Sequence, residues 1–280
     1  MTRNLKILWS WMLGIWCCSS WAYPPGPYHI VYGTVRDQYG TPISFNRGQV
    51  VLRTPSGVQL ATAILPDNSV AGVNYVLKVP LDSGSVADLY QPNVLLPANS
   101  YKLMVVLGSI TNLPIEIGTN YLSLGLWARS TRVDLTLGVD SNTDGLPDAW
   151  EYALLAVLGT NIPLSQLNAN TVLAHDGLTL RQQFLDGTIL FDPGNPLKVT
   201  LIGYNGPSPV LQFPTVNGRS YSVLESSDLE AWAPVKFNFI NEAMGTPAHS
   251  FYLAPSVAPV QIYVAPPSTG LSQFYRVSVQ

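Results

Sequence analysis

Thr131-Arg132-Val133-Asp134-Leu135-Thr136-Leu137 alternates apolar and polar residues, and the chain beyond it does not. From Trp150 onward the apolar residues Trp150, Ala153, Leu154, Val157 and Leu158 fall at i, i+3, i+4, i+7 and i+8. A period of two belongs to a strand with one buried face, and a period near 3.6 to a helix with an apolar stripe. The fold class turns on this change of period, because the same two-residue pattern runs upstream of it and returns downstream.

Upstream, short runs of β-branched and aromatic residues are separated by Gly, Pro, Asn and Asp. They are Ile30 to Arg36, Gln49 to Arg53, Tyr75 to Val79 and Tyr101 to Val106. Asp37-Gln38-Tyr39-Gly40 between the first two has Asp first and Gly last, as a type I turn prefers. Downstream, a second short helix is expected from Leu180 to Asp186, with Thr179 and Gln182 as a capping box and Gly187 as its stop. Beyond the linker at 192–195, the β pattern resumes in Val199 to Ile202, Ser220 to Leu224, Gln261 to Val264 and Phe274 to Val279. The expectation is a mainly β protein: two β-sandwich domains, residues 28–137 and 196–280, joined by a small α-helical calcium-binding segment at 138–191.

The first 22 residues have the three parts of a secretory signal peptide. Arg3 and Lys6 make a positive start, Ile7 to Cys18 an apolar stretch, and Ser20-Trp21-Ala22 a small-residue cleavage site. Tyr23 then opens a Pro-rich lead-in at 23–27. Both cysteines, Cys17 and Cys18, lie in the leader, so the mature chain is expected to have no disulfide in a compartment that permits them. Losing Arg3 and Lys6 takes the formal charge from −3 to −5, which argues against nucleic acid or anionic membrane as a partner. No other stretch approaches the length of a membrane span. The expected location is secreted or extracytoplasmic.

Between strand and helix lies Asp140-Ser141-Asn142-Thr143-Asp144-Gly145-Leu146-Pro147-Asp148-Ala149-Trp150-Glu151. Calcium takes six to eight hard oxygen ligands, and a 12-residue loop supplies them from positions 1, 3, 5, 7, 9 and 12 around a Gly at 6. Those positions hold Asp140, Asn142, Asp144, Leu146 through its carbonyl, Asp148 and Glu151, with Gly145 at position 6. No Lys or Arg occurs between Arg132 and Arg181, so these acids repel one another unless a cation sits among them. The competing reading is a helix start, with Asp148 as N-cap and Glu151 closing a capping box. It leaves Asp140, Asn142 and Asp144 without a role. Pro147 removes the backbone N–H with which paired loops bridge each other, so one loop is expected to act alone.

Three resemblances follow from these residues. Gly33 to Ile43 resembles the opening hairpin of carboxypeptidase regulatory-like, immunoglobulin-type domains. Residues 138–195 resemble the Asp-rich loops of thrombospondin type 3-like repeats in exported bacterial proteins. There Asp176-Gly177-Leu178-Thr179-Leu180-Arg181-Gln182-Gln183-Phe184 is similar to a second loop that has lost its ligands. Val172, Ala174, Leu180 and Gln183 stand at its positions 1, 3, 9 and 12. Gly218 to Trp232, with Phe274 to Val277, resembles a β module common at the C-termini of such proteins. The resemblance implies one calcium and no catalytic residue.

His29, His175 and His249 have no metal-ligand spacing, and no Gly-x-Ser-x-Gly elbow or phosphate-cradling Gly loop is present. A glycosidase pair among the acids is a matter of distances that sequence does not contain. The aromatics Tyr204, Phe213, Tyr221, Trp232, Phe237, Phe239, Tyr252, Tyr263 and Tyr275 are expected in the core, with a carbohydrate-binding surface as the alternative. The functional expectation is a non-enzymatic, calcium-binding structural or adhesion-type protein whose partner is a macromolecule or glycan at the cell surface. A carbohydrate-binding module comes second and an extracellular hydrolase accessory third.

Overall fold

The computed structural model describes residues 28–43, 48–67, 70–80, 100–117, 122–123, 129–174, 176–190, 197–243, 245–266 and 273–280. The expected leader, the Pro-rich lead-in, the linker and His175 lie outside the described residues. The protein is mainly β, with several sheets and two α-helices among those residues.

The first part contains β1 (His29–Gly33), β2 (Val35–Arg36), β3 (Gly48–Arg53), β4 (Gln59–Leu65), β5 (Tyr75–Val79) and β6 (Ser100–Leu107). Four short strands follow: β7 (Ile110–Asn112), β8 (Leu122–Ser123), β9 (Ser130–Arg132) and β10 (Leu135–Thr136). One sheet has the order β5-β1-β9 and another β4-β3-β6-β7, with β8 on β6. Alternation aims Val31, Leu77, Val50, Tyr101, Leu103 and Val105 into one shared apolar cluster, where each is at most 2 % exposed.

The expected single strand from Thr131 to Leu137 is two. Residues β9 and β10 are separated by Val133-Asp134, opposite the break between β1 and β2 at Thr34. The Asp134 carboxylate accepts the Thr34 backbone N–H at 3.0 Å, and Gly33 approaches the Val133 carbonyl so closely that no Cβ fits there. Asp134 also meets Arg132 at 3.1 Å and the buried Arg36 at 3.7 Å. A carboxylate that captures the neighbouring strand's amide interrupts both ladders at the same point.

Helix α1 (Asp148–Val157) buries Trp150, Glu151, Leu154 and Leu155. Its buried stripe is thus rotated from the expected one, and Val157 lies outward at 39 % exposure. Helix α2 (Leu180–Asp186) has the expected capping box of Thr179 and Gln182 and ends on Gly187 at φ +73°. Trp150 and Phe184 meet edge to face at 5.4 Å and, with Leu146, Leu154, Leu164 and Leu180, form a second cluster. Trp150 therefore packs within the helical segment.

The C-terminal part holds β11 (Thr200–Asn205), β12 (Ser208–Thr215), β13 (Ser220–Ser226) and β14 (Ala233–Val235). It continues with β15 (Phe237–Phe239), β16 (Tyr252–Leu253), β17 (Ala258–Val264) and β18 (Phe274–Val279). One sheet has the order β11-β12-β17-β15, and in another β13 pairs β14, β16 and β18. Phe213, Phe237 and Ile262 of the first and Tyr221 of the second share one apolar cluster.

Three segments meet at one buried side chain. Arg219, 1 % exposed, donates Nη2 to the carbonyls of Gly40 and Phe184, each at 3.0 Å, and Nη1 to that of Leu185. Gly40 in the first β part and Gly187 after α2 must both be glycine-like. Each has positive φ, and a Cβ would strike the Phe184 ring and the Arg219 guanidinium respectively.

Candidate metal site

The loop is pinned at both ends before any ligand is considered. The Asp148 backbone N–H donates to the Val139 carbonyl at 2.8 Å, so entry and exit are adjacent. Thr143 at φ +59° and Gly145 at φ +86° turn the chain through the left-handed region, as a tight ligand loop requires. Leu146 and Trp150, both 0 % exposed, anchor it to the helical cluster.

The side chains then divide into two groups. Asp140 accepts the backbone N–H of Asp144 at 3.2 Å and of Gly145 at 2.9 Å. Asp148 accepts that of Ser141 at 2.8 Å. Each of these oxygens keeps a second lone pair. Asn142, Asp144 and Glu151 are different: Asn142 Oδ1, Asp144 Oδ2 and Glu151 Oε2 are buried with no hydrogen-bond partner. Three of the six expected ligand positions thus carry an orphaned buried oxygen, whereas buried polar atoms are ordinarily paired.

The helix-start alternative is not what the chain does. The residue preceding α1 is Pro147, no side chain caps the helix, and Asp148 Oδ1 accepts from the Ser141 N–H rather than from a helix N–H. Glu151 is 0 % exposed; its Oε1 has Asn142 Nδ2 at 3.4 Å. Burial, and then the charge of Asp144, push its carboxyl up to about 7. Burial also raises Asp144, against the stabilising Leu146 N–H and with the charge of Asp140 adding to it.

Among the described residues, no three His, Cys, Asp or Glu side chains are gathered tightly enough to enclose a metal. The five side chains and the Leu146 carbonyl nevertheless make a donor set of hard oxygens that suits calcium better than a softer ion. One charge was missed in the sequence: Arg181, remote along the chain, lies beside Gly145 and is an electrostatic partner of Asp144. It carried no signal, since only the packing of α2 against α1 brings it there.

The second loop is an internal comparison. Asp176 accepts the Leu178 N–H at 2.9 Å, as Asp144 accepts that of Leu146 at 2.8 Å, and Gly177 at φ +74° matches Gly145. At the last position Glu151 is replaced by Gln183, whose Nε2 donates to both Asp176 oxygens at 3.1 and 3.2 Å. An amide therefore supplies the positive end that a carboxylate there lacks.

The remaining titratable candidates are dispersed. His29, 2 % exposed, has Nε2 3.0 Å from Thr131 Oγ1, and His249 pairs with Glu242 at 2.9 Å on the surface. Phe213, Tyr221, Phe237 and Tyr263 are core residues, at most 1 % exposed, while Tyr204 is 66 % exposed. Trp232 lies under the Arg276 guanidinium at 4.4 Å. Comparison with protein-family models, curated proteins and solved structures returned no match.

Proposed function

We propose that this chain is an exported, non-enzymatic structural protein of the cell surface, with two β-sandwich modules braced by one calcium ion. Asp140, Asn142, Asp144, the Leu146 carbonyl, Asp148 and Glu151 hold the ion. The observation that carries this reading is the set of three orphaned buried oxygens at Asn142, Asp144 and Glu151. A dication satisfies all three at once and removes the repulsion between Asp144 and Glu151. The contrast with Asp176 and Gln183, where an amide does the same for one carboxylate, supports it. Export rests on the three-part N-terminus and on cysteines confined to it.

Calcium ties the end of β10 to the start of α1, and the Arg219 bonds carry that rigidity into the C-terminal part. An isolated extracellular loop of this kind binds with a dissociation constant of about 10⁻⁵ to 10⁻³ M. Calorimetry on chelator-treated mature protein tests it: one equivalent of calcium should bind, and magnesium, which demands a tighter octahedron, should substitute poorly. No uptake at millimolar calcium would remove the ion from the reading. Recovery of the chain with Met1 intact from the cytoplasm would remove export.

A further inference from the structure

The C-terminal part is open along one side. Among the described residues β11 pairs with β12 alone and β18 with β13 alone, so each is an edge strand. Between them lies a cleft of about 430 Å³, lined by Leu201, Tyr204, Pro209, Leu211, Phe274 and Tyr275, with Gln273 beside them. That is within the range of small-molecule sites, roughly 300–1,000 Å³.

A bulge builds this cleft. Leu201 pairs with Leu211, but Gly203 pairs with Val210 and Tyr204 with Pro209, so Ile202 is the extra residue. Residues three apart on a regular strand face opposite ways. Here the inserted residue reverses the alternation and brings Leu201 and Tyr204 to the same face as Leu211 and Pro209. Tyr204 is thereby left 66 % exposed at the cleft, whose lining also includes Phe274, 38 % exposed.

The chemistry of the walls selects a ligand. Those described carry no charge, which argues against an ionic ligand. Tyr204 and Phe274 offer apolar ring surface. Gln273 adds an amide donor and acceptor. A ligand that matches has flat C–H-rich faces and hydroxyls at its rim. An extended peptide fits less well, because the bulge breaks the regular spacing of free backbone groups on which strand addition depends.

We propose that this cleft between β11 and β18 binds a neutral saccharide, with Tyr204 and Phe274 stacking on pyranose faces and Gln273 bonding to hydroxyls. The site is independent of the calcium loop. The test is titration of the mature protein, in millimolar calcium throughout, with hexasaccharides of β-1,4-glucose, β-1,3-glucose, β-1,4-xylose, β-1,4-mannose and β-1,4-N-acetylglucosamine. At least one should bind. Tyr204→Ala should weaken it about tenfold, in keeping with the loss of an aromatic contact. Gln273→Ala, which removes the polar group at the cleft, should weaken it also, with the melting temperature held. Tyr152→Ala, at an exposed tyrosine on α1, should bind as the parent does. Binding of none of the five, binding unchanged in Tyr204→Ala, or a peptide seated in the cleft would overturn the proposal.

Discussion

Arg219 Nη2 donates to the carbonyl oxygen of Gly40 at 3.0 Å, across 179 residues of sequence. The same guanidinium reaches Phe184 and Leu185 at the end of α2. Burial first, and then the neighbouring Arg36 charge, lower its pKa to about 10, so it is still protonated at neutral pH. A planar fork of donors suits three diverging carbonyls, and a lysine cannot reproduce it.

Arg219→Ala should therefore destabilise the protein by at least about 3 kcal/mol, because it strands buried carbonyls that had charge-assisted bonds. Arg219→Lys should recover little of this. Urea unfolding followed by tryptophan fluorescence and circular dichroism is the measurement. The parent should give coincident transitions and Arg219→Ala separate ones, as the segments lose their common anchor.

Calcium at 100 times its dissociation constant should stabilise the folded chain by about 2.7 kcal/mol. Asp140→Ala and Asp144→Ala should abolish the calcium-dependent rise in melting temperature. Asp176→Ala should leave that rise intact, since its carboxylate is already bonded to Gln183. Equal loss of the calcium response in all three variants would show that the loops are not distinct.

Glu151→Gln should reverse sign with calcium. In chelator at neutral pH the variant should melt at or above the parent, because it removes a buried carboxylate facing Asp144. In millimolar calcium it should melt below the parent, having lost a ligand. Differential scanning calorimetry in the two buffers reads both effects.

Gln183→Glu is the converse. It replaces an amide that bonds both Asp176 oxygens with a carboxylate in contact with them. A loss of about 1–3 kcal/mol is expected, and calcium should not rescue it, because Val172 and Ala174 provide no ligands. Rescue by calcium would mean that the second loop retains a site.

Gly40→Ala should cost about 1–3 kcal/mol, since it combines a φ of +81° with a Cβ placed 2.8 Å from the Phe184 ring. Gly57→Ala is the control. It has φ +91° but nothing within 4 Å, so it carries the backbone strain without the clash. The difference between the two melting temperatures isolates the packing of β part against helix.

By itself the sequence determined what depends on near neighbours. The strands Tyr75–Val79 and Phe274–Val279 coincide with their two-residue periods, and α2 with its capping box and glycine stop. The Asp37–Gly40 turn closes through a Gly40 N–H to Asp37 carbonyl bond of 3.0 Å. Periodicity, capping and turn chemistry act over a few residues and are legible in order along the chain. The spacing of oxygen-bearing residues from Asp140 to Glu151 was legible for the same reason.

Tertiary structure alone decided what depends on residues far apart. It set the break of Thr131 to Leu137 against Thr34, and the rotation of the α1 stripe toward Phe184. It brought Arg181 to Gly145, and Arg219 to Gly40. The bulge that aims Tyr204 beside Leu201 depends on how β11 registers with β12, and register is a property of two strands. A residue's pattern says which face it prefers; what it meets there is set by the whole chain.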